Sequence, residues 1–113
     1  MKSFDYDYDE ENDSLFVYLP NKKSAGAVEL GNFLFDFDEN EKLMAIEILD
    51  ASKTLSKLLS KIIELSNNAE FKVEVTDFRN MNSIRFSIKT PSETETVNII
   101  LPNIREKSPA LDY

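Results

Sequence analysis

Apolar residues recur at every second position along most of this chain. That period belongs to half-buried strands, because successive side chains leave a strand on opposite faces. Phe4, Tyr6 and Tyr8 alternate with Asp5, Asp7 and Asp9, which places aromatics on one face and carboxylates on the other. Residues 10–14 read as a turn, and Leu15 to Leu19 return as a second strand that Pro20-Asn21 stops, giving a hairpin. After a loose loop at 22–26, Ala27 to Leu30 and then Phe33, Phe35 and Phe37 read as one strand bent or bulged at Gly31-Asn32. A polar turn at 38–42 leads to Leu43 to Leu49, with Met44, Ile46 and Ile48 on one face. Phe71/Val73/Val75, Ile84/Phe86/Ile88 and Val97/Ile99/Leu101 supply three further alternating segments, separated by 77–82 and by Pro91-Ser92.

One segment breaks the rule. Leu55, Leu58, Leu59, Ile62 and Ile63 fall at helical spacing, predicting an amphipathic helix over 52–66. Asp50 or Ser52 would cap its start and Asn67-Asn68 would suit its exit. The expected fold class is α+β: a mostly antiparallel sheet with one amphipathic helix packed on it, in the order ββββ-α-βββ. A single domain spans 1–101, and 102–113 form a polar, poorly ordered tail. Leu58, Leu59, Ile62, Ile46, Ile48, Phe35 and Phe86 are the expected core.

Composition narrows the chemistry. The chain has 113 residues with neither Cys nor His, which excludes disulfides, thiolate chemistry and Cys/His metal ligation. The first residues turn acidic at once and the apolar runs are short, so no signal peptide or membrane span is expected, and a cytoplasmic setting follows. Residues 1–50 carry thirteen Asp/Glu against four Lys/Arg, whereas 51–113 carry eight against nine, for a net charge of −8. An acidic body repels phosphate backbones and anionic lipid, so neither nucleic acid nor membrane is an expected partner.

Tyr8-Asp9-Glu10-Glu11-Asn12-Asp13-Ser14-Leu15-Phe16-Val17-Tyr18-Leu19 resembles the opening of a family of short prokaryotic proteins, domain of unknown function 2283. Phe35-Asp36-Phe37-Asp38-Glu39-Asn40-Glu41 resembles its V-D-x-D-x-x-G hairpin, and Ala45-Ile46-Glu47-Ile48-Leu49-Asp50-Ala51-Ser52 its G-I-E-I-L-D-A-S segment. The resemblance covers about residues 5–55. It departs at Glu41 and Ala45, where the family has glycine, which suggests a different turn type within the same fold. It implies a compact β-rich unit leading into a helix, and no activity.

Residues 36–47 also approach a calcium loop. Asp36, Asp38, Asn40 and Glu47 put oxygens at positions one, three, five and twelve, the spacing with which such a loop wraps a hard cation. Against it, position six is Glu41 rather than glycine, the flanks alternate like strands, and an extended strand would carry Glu47 away from Asp36. A β-hairpin with an acidic turn is the expected structure, and no metal or cofactor is assigned. Asp5, Asp7 and Asp9 form a carboxylate ladder, which on an exposed face lacks the unequal environments that acid–base catalysis needs. Lys53, Lys57 and Lys61 form an i, i+4 stripe that reads as a solvated face or a grip for an acidic partner, another copy included. No G-x-S-x-G or S-x-x-K context occurs, and no catalytic residue is assigned. The leading expectation is a non-catalytic module that binds a protein partner or itself, as a homodimer. The alternative is a carboxylate-based divalent-metal binder or hydrolase using the acidic amino-terminal half.

Overall fold

Each alternating stretch becomes a strand in the computed structural model, which describes residues 2–66 and 68–102. In chain order the elements are β1 (Lys2–Asp9), β2 (Ser14–Tyr18), β3 (Gly26–Leu30), β4 (Phe33–Phe37), β5 (Leu43–Ile48), α1 (Ala51–Leu59), β6 (Glu70–Asp77), β7 (Met81–Lys89) and β8 (Thr94–Pro102). The strands form one sheet in the order β3-β4-β5-β2-β1-β6-β7-β8, and every pairing is antiparallel. The α+β class therefore holds, with strands, then the helix, then three strands. Five strands precede the helix, because the segment read as one bent strand is a hairpin. Gly31 sits at its tip with φ +59°, a left-handed conformation that glycine adopts without a Cβ penalty, and the chain reverses there to pair Leu30 with Phe33.

β1 holds the two halves of the sheet together. Residues 5–9 pair with β2, while Lys2, Ser3 and Phe4 pair with β6. Alternation then decides what is buried. Leu15 and Val17 of β2 lie opposite Ile48 and Ile46 of β5, and all four are fully buried. Phe71, Val73 and Val75 of β6 face Ile88, Phe86 and Ile84 of β7 in the other half. One contiguous core joins these inner faces, and Ala51, Leu55 and Ile63 complete it. Ile46, Ile48, Phe35 and Phe86 are buried as expected.

The helix corrects the sequence reading in three ways. It runs Ala51–Leu59 and not 52–66. Its buried residues are Ala51 and Leu55, while Leu59 is partly buried, Leu58 is 43% exposed and Ile62 is 85% exposed. It ends at Ser60, left-handed at φ 56°, whose N–H donates to Lys57 O while the Lys61 N–H donates to Ser56 O. That pair of bonds is the Schellman stop, made here without glycine. The Ser56 hydroxyl then accepts the Ile63 N–H at 3.0 Å, drawing the chain back so that Ile63 is buried and Ile62 faces out. Asn68 lies beyond this strap, Pro102, read as the first residue of the tail, ends β8 instead, and Asn67 and residues 103–113 of the expected tail lie outside the described residues.

Candidate functional site

The helix is anchored from a distance. Its N-cap position is Asp50, left-handed at φ 50°, whose side chain makes no capping bond. Asp13, in the β1–β2 turn, takes over that role. Its main-chain oxygen accepts the Ala51 N–H at 2.8 Å, and its carboxylate accepts the Ser52 N–H at 3.1 Å and the Ser52 hydroxyl at 2.6 Å. The Tyr8 hydroxyl donates to the same carboxylate at 2.6 Å. Burial, and then that bond to Asp13, pushes the Tyr8 phenol well above its ordinary pKa. A carboxylate at a helix start meets the otherwise unpaired amides of the first turn and the positive end of the helix dipole. Asp50 and Ser52 were the expected caps. Ser52 takes part, as a donor to Asp13.

A second tether holds the β3–β4 tip against the helix. The Asn32 amide donates to Thr54 Oγ1 at 3.2 Å, Thr54 Oγ1 donates to Leu49 O at 2.9 Å, and the Leu49 N–H donates to Asn32 O at 2.9 Å. Between this tip, the helix and the strap lies a groove of about 720 Å³. Leu30, Phe33, Ile62 and Ile63 give it apolar walls, and Lys53 and Lys57 stand at its rim. Leu30 is 45% exposed, so the groove presents apolar surface on both sides. The lysine stripe divides here. Lys61 is held by Glu93 at 2.6 Å and Glu95 at 2.9 Å, and these bonds raise its pKa. Among the described residues, Lys53 and Lys57 have no ion-pair partner. Sequence reasoning found the lysines and missed Leu30 and Ile62 as groove walls, since spacing alone put Ile62 in the core.

The calcium-loop candidates lie in a hairpin. Asp38 is buried in the turn, where its Oδ1 accepts the N–H groups of Asn40 at 2.8 Å and Lys42 at 3.0 Å. The Lys42 N–H holds its carboxyl below the usual range, against the opposing pull of burial. Asn40 is exposed in the turn. Asp36 accepts the Ser24 hydroxyl at 3.0 Å. Asp36 pairs with Ala45, so Glu47, two residues on, returns past it as a diagonal neighbour on the same sheet face rather than being carried away. Among the described residues no three acidic side chains converge closely enough to hold a metal ion. Glu41, at the family's glycine position, is left-handed at φ 61°. The turn keeps the glycine-type conformation, where the departure had suggested another turn type.

Residues 5–52 match the family described as "Protein of unknown function (DUF2283)", which bears out the resemblance. That segment is a structural unit: β1 to β5 and the first helical residues, closed on itself by the Asp13–Ser52 bonds. The chain is also similar to two curated proteins. Over 84 residues, 74% of this chain and 64% of the other, it is 38% identical to a Methanosarcina mazei protein named "Putative hypoxanthine phosphoribosyltransferase". Over 47 residues, 42% of this chain and 40% of the other, it is 53% identical to an uncharacterized protein of Methanocaldococcus jannaschii. The chain thus spans less than two thirds of either relative's length. No solved structure matches it. Among the described residues, no helix is long and apolar enough to cross a membrane.

Proposed function

We propose that this chain is a non-catalytic protein-binding module that associates with a second copy of itself through the α1 groove, in a cytoplasmic setting consistent with the lack of cysteine. Ile62 carries the reading. An isoleucine 85% exposed at the mouth of an apolar groove leaves surface that water solvates poorly, and a homodimer covers such surface simply. The tethers from Asp13 and Asn32 support it, because a preformed groove has less ordering entropy to lose on binding. The activity named for the Methanosarcina relative fits less well. Phosphoribosyl transfer must hold a phosphorylated sugar, and a chain with two glycines has little means to build a glycine-rich amide cradle for it.

The test is sedimentation velocity between about 10 μM and 1 mM, the range of a weak specific interface. The parent chain should associate with rising concentration, and Ile62→Glu should remain monomeric while melting like the parent. A parent that stays monomeric throughout overturns the reading.

A further inference from the structure

A second unusual surface lies on the outer face of the sheet, centred on β2 between β1 and β5. The inward residues of β2 are Leu15 and Val17, so Phe16 and Tyr18 stand on the outer face. Their rings stack at 5.1 Å with 18° between planes, and Phe16 is 39% exposed. Strand register surrounds them with carboxylates. Asp5 and Asp7 of β1 lie directly opposite Tyr18 and Phe16, while Glu47 of β5 flanks Phe16 on the other side and Asp36 of β4 continues the Tyr18 row. No lysine or arginine stands in these two rows.

We infer that this acidic, aromatic face of one copy docks on the lysine-edged α1 groove of a second copy, Phe16 and Tyr18 meeting Leu30 and Ile62 while Asp5 and Asp7 meet Lys53 and Lys57. The two surfaces are complementary in both respects that matter at an interface. Each exposes apolar side chains, and the groove lining carries Lys53 and Lys57 against the single carboxylate of Asp50, while the aromatic face carries carboxylates alone in its two rows. Charge also selects this pairing over others. With a net charge of −8, most encounters between copies are repulsive, and the unpaired Lys53 and Lys57 offer an attractive approach for the carboxylate-rich face. The inference rests on the groove being a contact between copies, and it adds what fills it.

Charge reversal on each side tests it by sedimentation. Lys53→Glu with Lys57→Glu makes the groove rim acidic, and Asp5→Lys with Asp7→Lys reverses the near edge of the aromatic face. All four positions are exposed, so both variants should melt within a few degrees of the parent. Each variant alone should associate about tenfold or more weakly than the parent, because every face-to-groove contact now sets like charges together. An equimolar mixture should regain association, since the unaltered acidic face of the lysine variant can meet the unaltered groove of the aspartate variant. Variants that associate like the parent, or a mixture that fails to recover, overturn this pairing and leave the groove reading standing. A parent that is monomeric overturns both.

Discussion

Removing the Asp13 side chain should be among the costliest single changes at the surface of this molecule. Its carboxylate accepts hydrogen bonds from three donors: the Tyr8 hydroxyl, the Ser52 N–H and the Ser52 hydroxyl. Bonds to a charged acceptor are worth about 1.5–3 kcal/mol each, but these share one partly exposed carboxylate and do not add fully, so about 3 kcal/mol is a fair total. Asp13 is also left-handed at φ 50°, where a residue with a Cβ and no compensating side-chain bond loses roughly 1 kcal/mol more. Asp13→Ala should therefore lose about 4 kcal/mol from a domain that has about 5–15 in all. For a domain near this size that lowers the melting temperature by about 15–30 °C.

Companion variants separate the causes. Asp13→Gly deletes the same bonds but tolerates the left-handed backbone, so it should melt above Asp13→Ala. Asp13→Asn keeps an acceptor oxygen and the backbone preference, and should lose only about 1–2 kcal/mol. Urea unfolding of Asp13→Ala, Ser52→Ala and the double variant should show a coupling of about 1–2 kcal/mol, as expected of residues in one hydrogen-bonded unit. An Asp13→Ala variant melting within a few degrees of the parent, or additive losses in that cycle, would refute the clamp.

Leu55→Ala should lose about 2–5 kcal/mol in urea unfolding, since Leu55 is fully buried, whereas Ile62→Ala should stay within about 0.5 kcal/mol of the parent; equal losses would put the helix face elsewhere. Glu41→Gly should raise stability by about 0.5–1 kcal/mol, because glycine relieves the left-handed strain while adding unfolded-state entropy; a lower melting temperature would mean that the Glu41 side chain contributes more than its backbone loses. Tyr8 has a raised folded pKa, so its contribution is complete below pH about 10 and is lost as pH rises beyond that; Tyr8→Phe should flatten the alkaline limb of a stability profile. Asp38 has a lowered folded pKa, so its contribution is complete above pH about 4 and is lost as pH falls below it; Asp38→Asn should remove that acid limb.

What was legible in this sequence follows from the reach of each signal. A period of two is set by the geometry of a single strand, so Phe35, Ile46, Ile48 and Phe86 could be placed in the core without knowing what they pack against. The helix was less legible for a physical reason. Beyond Ser60 the strap buries Ile63 and half-buries Leu65, and an extended strap on a core can imitate helical spacing for a turn. Only the Ser56 bonds to Ile63 and the left-handed Ser60 distinguish the two, and neither residue type announces that role. The clamp was half legible. Tyr8, Asp13 and Ser52 all lay in the stretches that carry the family resemblance, but their meeting depends on β2 and β5 pairing so that the first turn of the sheet arrives beside the first turn of the helix. The groove was not legible at all, because its walls come from the β3–β4 tip, α1 and the strap, which no periodicity relates. This ordering has a consequence for the relatives. A chain that keeps Tyr8, Asp13 and Ser52 should keep the five-stranded unit and its helix start, whereas the groove lining is set by residues 30, 53, 57 and 62, three of which (53, 57 and 62) lie beyond the matched segment.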